Sequence, residues 1–188
     1  VGSGIGTELR GNGFGFDFNP TVDRIRVVSD AGLNLRLHPD TGAVVDGDPG
    51  SDGLQLDGTL AWAAGDRNAG RRLAVVAAAY SYNKVDERIT TNYAIDAANG
   101  LLVMQGSKEG ATPVVSPNTG RVSTVGALRV GEFDRASFDI ADVGNAAYAA
   151  FTRPFARESV LYRIDLATGS ATRIGPIAGG RAVAGIAI

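Results

Sequence analysis

The sequence predicts an all-β fold, a β-propeller-like array of short antiparallel strands and hairpins, and three observations lead to it. A phrase recurs: an apolar residue, a polar turn-former, two further residues, then Thr-Gly or Asn-Gly. It reads Leu37-His38-Pro39-Asp40-Thr41-Gly42, Ile95-Asp96-Ala97-Ala98-Asn99-Gly100 and Ile164-Asp165-Leu166-Ala167-Thr168-Gly169, with a related copy at Val115-Ser116-Pro117-Asn118-Thr119-Gly120. Apolar residues alternate before the main copies, as in Leu33, Leu35 and Leu37, and a short β-like run follows each. Alternation, tight turn and renewed alternation make a hairpin, and a repeated hairpin points to a modular architecture. Glycine, 26 of 188 residues, supplies the positive φ that many turns need. Gly42, Gly100, Gly120 and Gly169 are therefore expected in the left-handed region.

Residues 1–13 read as the tail of a preceding element, and 14–188 as one propeller-like domain. The stretch Gly2-Ser3-Gly4-Ile5-Gly6 has no strand before it and reads as flexible chain, not a nucleotide fingerprint. Phe14, Phe16 and Phe18 form a strand that runs into an Asn19-Pro20 turn. A hairpin follows, from 25–29 through Asp30-Ala31-Gly32 to 33–37, with Gly32 at positive φ. Residues 46–72 are the least regular. The second unit has strands at 75–82, 91–95, 101–105 and 122–125, with a charged loop at 83–88. Its alanine-rich stretch Ala74–Ala79 favours helix on propensity alone, but Val75, Val76, Tyr80 and Tyr82 favour strand. The third unit places strands at 137–140, 146–151, 160–164 and 171–174, and a closing run at 182–188. Glycines of the main phrases are 58 and 69 residues apart (Gly42 to Gly100, Gly100 to Gly169), longer than a four-stranded blade alone, so long loops are expected.

Composition narrows the chemistry. The net charge of −2 creates no field for nucleic acid or anionic lipid. Without cysteine there are no disulfides, thiolate nucleophiles, cysteine zinc sites or iron–sulfur clusters. No stretch approaches the roughly 20 apolar residues of a membrane helix. The chain opens on Val1, which reads as a processed or truncated product whose targeting segment is not in view.

The run Phe14-Gly15-Phe16-Asp17-Phe18-Asn19-Pro20-Thr21-Val22-Asp23-Arg24-Ile25-Arg26-Val27-Val28-Ser29, with Asn34-Leu35-Arg36-Leu37 and Pro39-Asp40-Thr41-Gly42, resembles the bacterial domain family DUF4394. Tyr93-Ala94-Ile95-Asp96, Phe138-Asp139-Ile140, Ala146-Ala147-Tyr148-Ala149-Ala150 and the phrase at 161–169 fit as well, so the likeness covers about residues 13–188. The resemblance implies a secreted or envelope-located (periplasmic or extracellular) propeller-like protein and brings no catalytic motif. Members usually carry further copies of the phrase upstream, which points to a partial domain or one completed by oligomerising. Homo-oligomers or a larger envelope complex are the expected partners, because unpaired strand edges invite pairing.

Candidate sites each have a structural and a functional reading. His38 is the only histidine, which excludes any multi-histidine zinc site within one chain, and the lack of cysteine excludes a cysteine triad. It occupies the place of Asp96, Asp165 and Ser116 in the other copies, where a side chain accepts a hydrogen bond from the turn. Its functional reading is a ligand for copper or iron, with Asp40 close by. Asp46, Asp48 and Asp52, with Asp57 nearby, form an acidic glycine-rich loop that could wrap calcium, or simply be solvated. Asp17 and Asp139 hold equivalent Phe-Asp positions and are expected to accept backbone hydrogen bonds at a strand edge. Asp23-Arg24 and Arg26 could form ion pairs across a hairpin, which carry little energetic weight when exposed. Trp62 and the tyrosines are either core or a sugar-binding surface.

Three functions remain in view. The first is an envelope or extracellular module of assembly and surface interaction, with a bound metal as an option. The second is a copper- or iron-dependent enzyme resembling superoxide dismutase. The third is a glycan-binding propeller with Trp62 exposed.

Overall fold

The structure, a computed structural model, describes residues 6–142 and 144–188, so most of the Gly2–Gly6 stretch lies outside the described residues. The fold is all-β: short strands in three sheets, one 3-10 turn at Pro117–Thr119 and, among the described residues, no α-helix. β1 (Phe14–Phe18), β2 (Ile25–Ser29) and β3 (Asn34–Leu37) form the first sheet in that order. A single bridge from Leu37 to Val44 stands where a fourth strand would pair. The second sheet contains β4 (Ala61–Trp62), β5 (Val75–Tyr80), β6 (Asn92–Asp96), β7 (Leu101–Gln105) and β8 (Arg121–Ala127). The last four pair antiparallel in succession, and β4 joins the free side of β8 in parallel. β9 (Arg135–Ile140), β10 (Ala147–Thr152), β11 (Ser159–Ile164) and β12 (Ala171–Ile177) make the third sheet, antiparallel throughout.

One edge strand of each sheet meets the others: β1 packs on β5, and β5 on β9. β5 is buried along its whole length, which explains its alanines. Ala78 joins the core shared with Val28 of the first sheet, while Ala77 and Ala79 join the core shared with Phe138 and Phe151 of the third. Both faces are covered at close range, so small residues fit and helix propensity is overridden. Gly15 lets β1 come closest, since a Cβ there would stand 2.5 Å from the Ala78 nitrogen.

The phrase folds as its residues predict. Gly42, Gly100, Gly120 and Gly169 have φ of 69°, 63°, 71° and 77°. The turn at 38–43 and the turn at 165–170 close with the same pair of backbone bonds: His38 N to Ala43 O (2.9 Å) with Gly42 N to His38 O (2.8 Å), and Asp165 N to Ser170 O (2.9 Å) with Gly169 N to Asp165 O (2.8 Å). The Ala141–Asn145 turn repeats this with Asn145 at φ 49° in the glycine's place.

Three expectations are corrected. The run at 182–188 joins no ladder; it lies over the third sheet, with Val183 N donating to Ser159 Oγ and Ile188 N to Asp139 Oδ2. Two residues within 46–72, Ala61 and Trp62, do form a strand. Arg26 is buried, not exposed, and its partner is Asp57.

That pair organises the boundary between the first two sheets. Arg26 Nη1 lies 2.7 Å from Asp57 Oδ2, both side chains 2% exposed, and Arg36 reaches the same carboxylate at 2.8 Å. Arg26 also donates to Asn34 Oδ1, Asn118 Oδ1 and the Tyr80 hydroxyl. Losing Arg26 leaves Asp57 to Arg36 alone and takes the donor from Asn118 Oδ1 and the Tyr80 hydroxyl, and breaking a buried pair of this kind costs about 3–5 kcal/mol. Arg26→Met should therefore lower stability by about that amount, and Arg36→Met, from a more exposed side chain, by clearly less. Urea unfolding of the two variants checks this; equal losses would contradict the central role of Arg26.

Candidate functional site

β1, β5 and β9 end on one face of the molecule. A cavity of about 520 Å³ there is lined by Asp17, Phe18 and Pro20 at the end of β1, by Tyr80, Ser81 and Tyr82 at the end of β5, and by Asp139, Ile140 and Asp142 at the end of β9. Two more cavities adjoin β5's end: one of about 600 Å³ between the second and third sheets, and one of about 200 Å³ between the second sheet and the β1–β2 turn. The first of these is lined by Ser81, Lys108, Glu109, Arg163 and Asp165, the second by Tyr80, Asn92 and Gln105. Alternating strands that finish in register place several polar tips on such a face, and that is where ligands meet side chains from different elements.

Asp17 and Asp139 behave as a repeated latch, as their equivalent positions predict. Asp17 accepts Phe18 N through Oδ1 (2.8 Å) and Tyr80 N through Oδ2 (2.6 Å). Asp139 accepts Ile140 N (2.9 Å) and Ile188 N (2.7 Å) in the same way. Each carboxylate thus ties its strand to the segment packed on it. The two differ in surroundings, for Asp17 has its pKa pushed up to about 6. Burial is the main cause; the bonds from Tyr80 and Phe18 oppose it, and the charges of Asp139 and Asp142 add to it.

The predicted metal residues lie elsewhere. His38 does not accept a hydrogen bond from its turn as Asp96, Asp165 and Ser116 do; those three accept N–H groups of Ala98, Ala167 and Asn118. Pro39 follows His38, and its Nδ1 is covered yet has no hydrogen-bond partner; Asp40 Oδ2 is 4.0 Å away. In the acidic loop, Asp46 accepts Asp48 N and Gln55 N, and Asp48 accepts Gly50 N and Ser51 Oγ. The Asp52 backbone carbonyl accepts from the Gln55 amide. Asp57, expected nearby, belongs to Arg26 and Arg36 instead. Among the described residues no three histidine or carboxylate side chains gather closely enough to hold one ion together.

The aromatic surface is corrected. Trp62 is buried, its indole N–H donating to Arg71 O, and Tyr80, Tyr93 and Tyr162 are buried too. The grouping of Asp142 with Asp17 and Asp139, and the approach of Lys108 and Glu109 to β5's end, have no signal in sequence spacing because they depend on how sheets pack.

A carboxyl with a raised pKa keeps a proton in the folded protein that the unfolded chain has already lost. Between about pH 4 and 6 the Asp17 contribution to stability therefore falls as pH rises, and stays low above that window. Asp17→Asn removes this contribution. Whatever its constant offset from losing one acceptor, its stability relative to wild type should rise from pH 4 to pH 7. Urea midpoints at four pH values check it; a difference that does not change with pH would refute the assignment.

Among the described residues no helix is long and apolar enough to cross a membrane. Neither a curated protein nor a solved structure matches the chain. One protein family does, and its match over residues 1–187 starts earlier than the sequence resemblance at residue 13. The chain belongs to DUF4394, a family described as a domain of unknown function.

Proposed function

We propose that the domain works by binding, as an envelope-located or extracellular propeller-like module of assembly and surface interaction. The observation that carries this reading is the meeting of three cavities around Tyr80–Tyr82, formed by the ends of rigidly packed strands. Their polar groups are set for recognition. Asp17 and Asp139 are held by backbone N–H groups, and Glu109 by the hydroxyls of Ser81 and Thr91, so each carboxylate has a fixed orientation. Fixed polar groups in a concave, half-apolar setting select ligands at little ordering cost.

The assembly part rests on β1. Phe16 and Phe18 are each 56% exposed, and Val22 beside them 52%. Side-by-side exposed apolar residues at a sheet margin are a surface for a partner. A homo-oligomer and a larger envelope complex both fit; the partner tested is a second copy of the chain. Sedimentation should show a species heavier than the 19.4 kDa chain, converted to monomer by Phe16→Ser combined with Phe18→Ser. A monodisperse wild-type monomer would overturn the self-association.

A second reading has one observation in its favour, the unpartnered Nδ1 of His38 near Asp40. It is a copper- or iron-dependent enzyme resembling superoxide dismutase, in which His38 and Asp40 supply two ligands and water or another subunit the rest. Calcium in the 46–52 loop would be a separate site. Elemental analysis of protein from its native source, with and without His38→Ala, separates the readings. Redox metal and superoxide scavenging that both vanish in the variant support the enzyme; metal content unchanged by the substitution, or none at all, leaves binding as the function.

A further inference from the structure

Tyr80, Asn92 and Gln105 stand directly opposite one another on β5, β6 and β7, so their side chains share one face of the second sheet. This row faces the first sheet, where the Tyr80 hydroxyl accepts from Arg26 Nε and Gln105 Nε2 donates to Asn34 Oδ1 and Pro117 O. All three residues line the 200 Å³ cleft. The outer two are satisfied by the protein. Asn92 is not: its amide donates a long 3.4 Å bond to Gln105 Oε1, and its Oδ1 is buried with no partner. The residue is 2% exposed. A buried acceptor left unpaired costs about 1–3 kcal/mol, so its place in a cleft wall points to a donor that enters from outside.

We propose that this cleft binds a small, neutral, polyhydroxylated molecule about the size of one sugar ring, which donates a hydroxyl to Asn92 Oδ1. The size follows from volume: 200 Å³ corresponds to roughly seven waters at about 30 Å³ each. Neutrality follows from the rim. Lys108 and Arg88 line the cleft and disfavour an ammonium donor, while Glu109 and the Asn92 lone pairs disfavour a carboxylate. Hydroxyl recognition fits the remaining polar lining of Asn19, Thr21, Thr90 and Ser107, and Ile89, Val115 and Pro117 offer C–H surface for a ring face. Recognition here is by hydrogen bonds and not by stacking on exposed aromatics. The inference rests on the binding reading and is independent of assembly and of any metal.

The test is titration of the full chain with glucose, myo-inositol and glycerol, followed by NMR shifts and calorimetry, with ethylammonium and acetate as charged controls. A ring-sized polyol should bind with about millimolar affinity, shifting the Asn92 side-chain amide, and glycerol more weakly. Asn92→Leu should weaken it about tenfold or more. Val114 lines the mouth and is 79% exposed, so Val114→Trp should block entry while leaving the buried row intact, and it decides the matter if Asn92→Leu does not fold. No polyol binding, binding unchanged by both variants, or a crystal soak showing only ordered water at Asn92 would overturn the proposal. Binding of a charged control in the cleft would overturn it too, yet would leave the broader binding function standing.

Discussion

The buried charge of Arg26 is the constraint to which much of the first two sheets answers. A guanidinium 2% exposed must be paired and hydrogen-bonded on every side. Asp57 supplies the charge, Asn34 and Asn118 supply acceptors, and Tyr80 a hydroxyl. These partners come from β3, from the irregular stretch before β4, from the 3-10 turn and from β5, so the one side chain fixes the relative position of four segments. Asn34 extends the network by donating to Gly58 O and Pro117 O. The stretch 46–60 loses regular structure but delivers a carboxylate to a place no adjacent strand could reach. Such a pair specifies arrangement more than it adds stability, because desolvation offsets much of the attraction.

With the first two sheets so registered, β5 becomes the shared wall of both sheet interfaces. Its alanines admit β1 on one side and β9 on the other, and its end is carried to the face where the cavities meet. The contact of the second and third sheets is tightened from another direction: Gly126 on β8 leaves room for the backbone of Thr168 and Gly169, and a Cβ there would collide with the Thr168 carbonyl. Thus a phrase turn that looks like surface punctuation also packs against a neighbouring sheet.

The parts of this fold that were legible are those governed by neighbours in sequence. Alternation at 25–29 and 33–37 and the glycine at the end of each phrase encode local geometry, and strand 75–80 was legible once the flanking valines and tyrosines outweighed the alanines. What depends on distant partners was not. Arg26 and Asp57 are 31 positions apart across a loop without period, so Arg26 reads as a surface charge and Asp57 as part of an acidic loop. β4 has two residues, too few for alternation to register. At the site, Asp17 and Asp139 announced themselves by equivalent positions, but Asp142, Lys108 and Glu109 reach the same face only through sheet packing. His38 shows the limit of reasoning by equivalence: the turn backbone is conserved in shape between 38–43 and 165–170, yet the imidazole does not do what the aspartate does.

Two carboxylates, the buried Asp57 and the half-buried Asp17, illustrate how the molecule separates structure from function. Asp57 lies between two guanidinium groups, which match its charge within the fold itself. Asp17 has no such cation. It accepts two backbone N–H groups, but Asp139 and Asp142 oppose its charge and burial raises its pKa to about 6. A group in the first situation has nothing further to gain from solvent or ligand. A group in the second does, since a proton or a hydrogen-bond donor relieves it. The satisfied centre lies between sheets, where it holds them in place. Asp17, hydrogen-bonded but without a cation, lies at the strand ends, and Asn92, with its unpartnered Oδ1, in the adjoining cleft; both line open cavities that Tyr80 also lines. Arg26 and Asp57 are thus closed where the fold needs a single arrangement, whereas Asn92 keeps an open acceptor in the cleft proposed to take a hydroxyl donor.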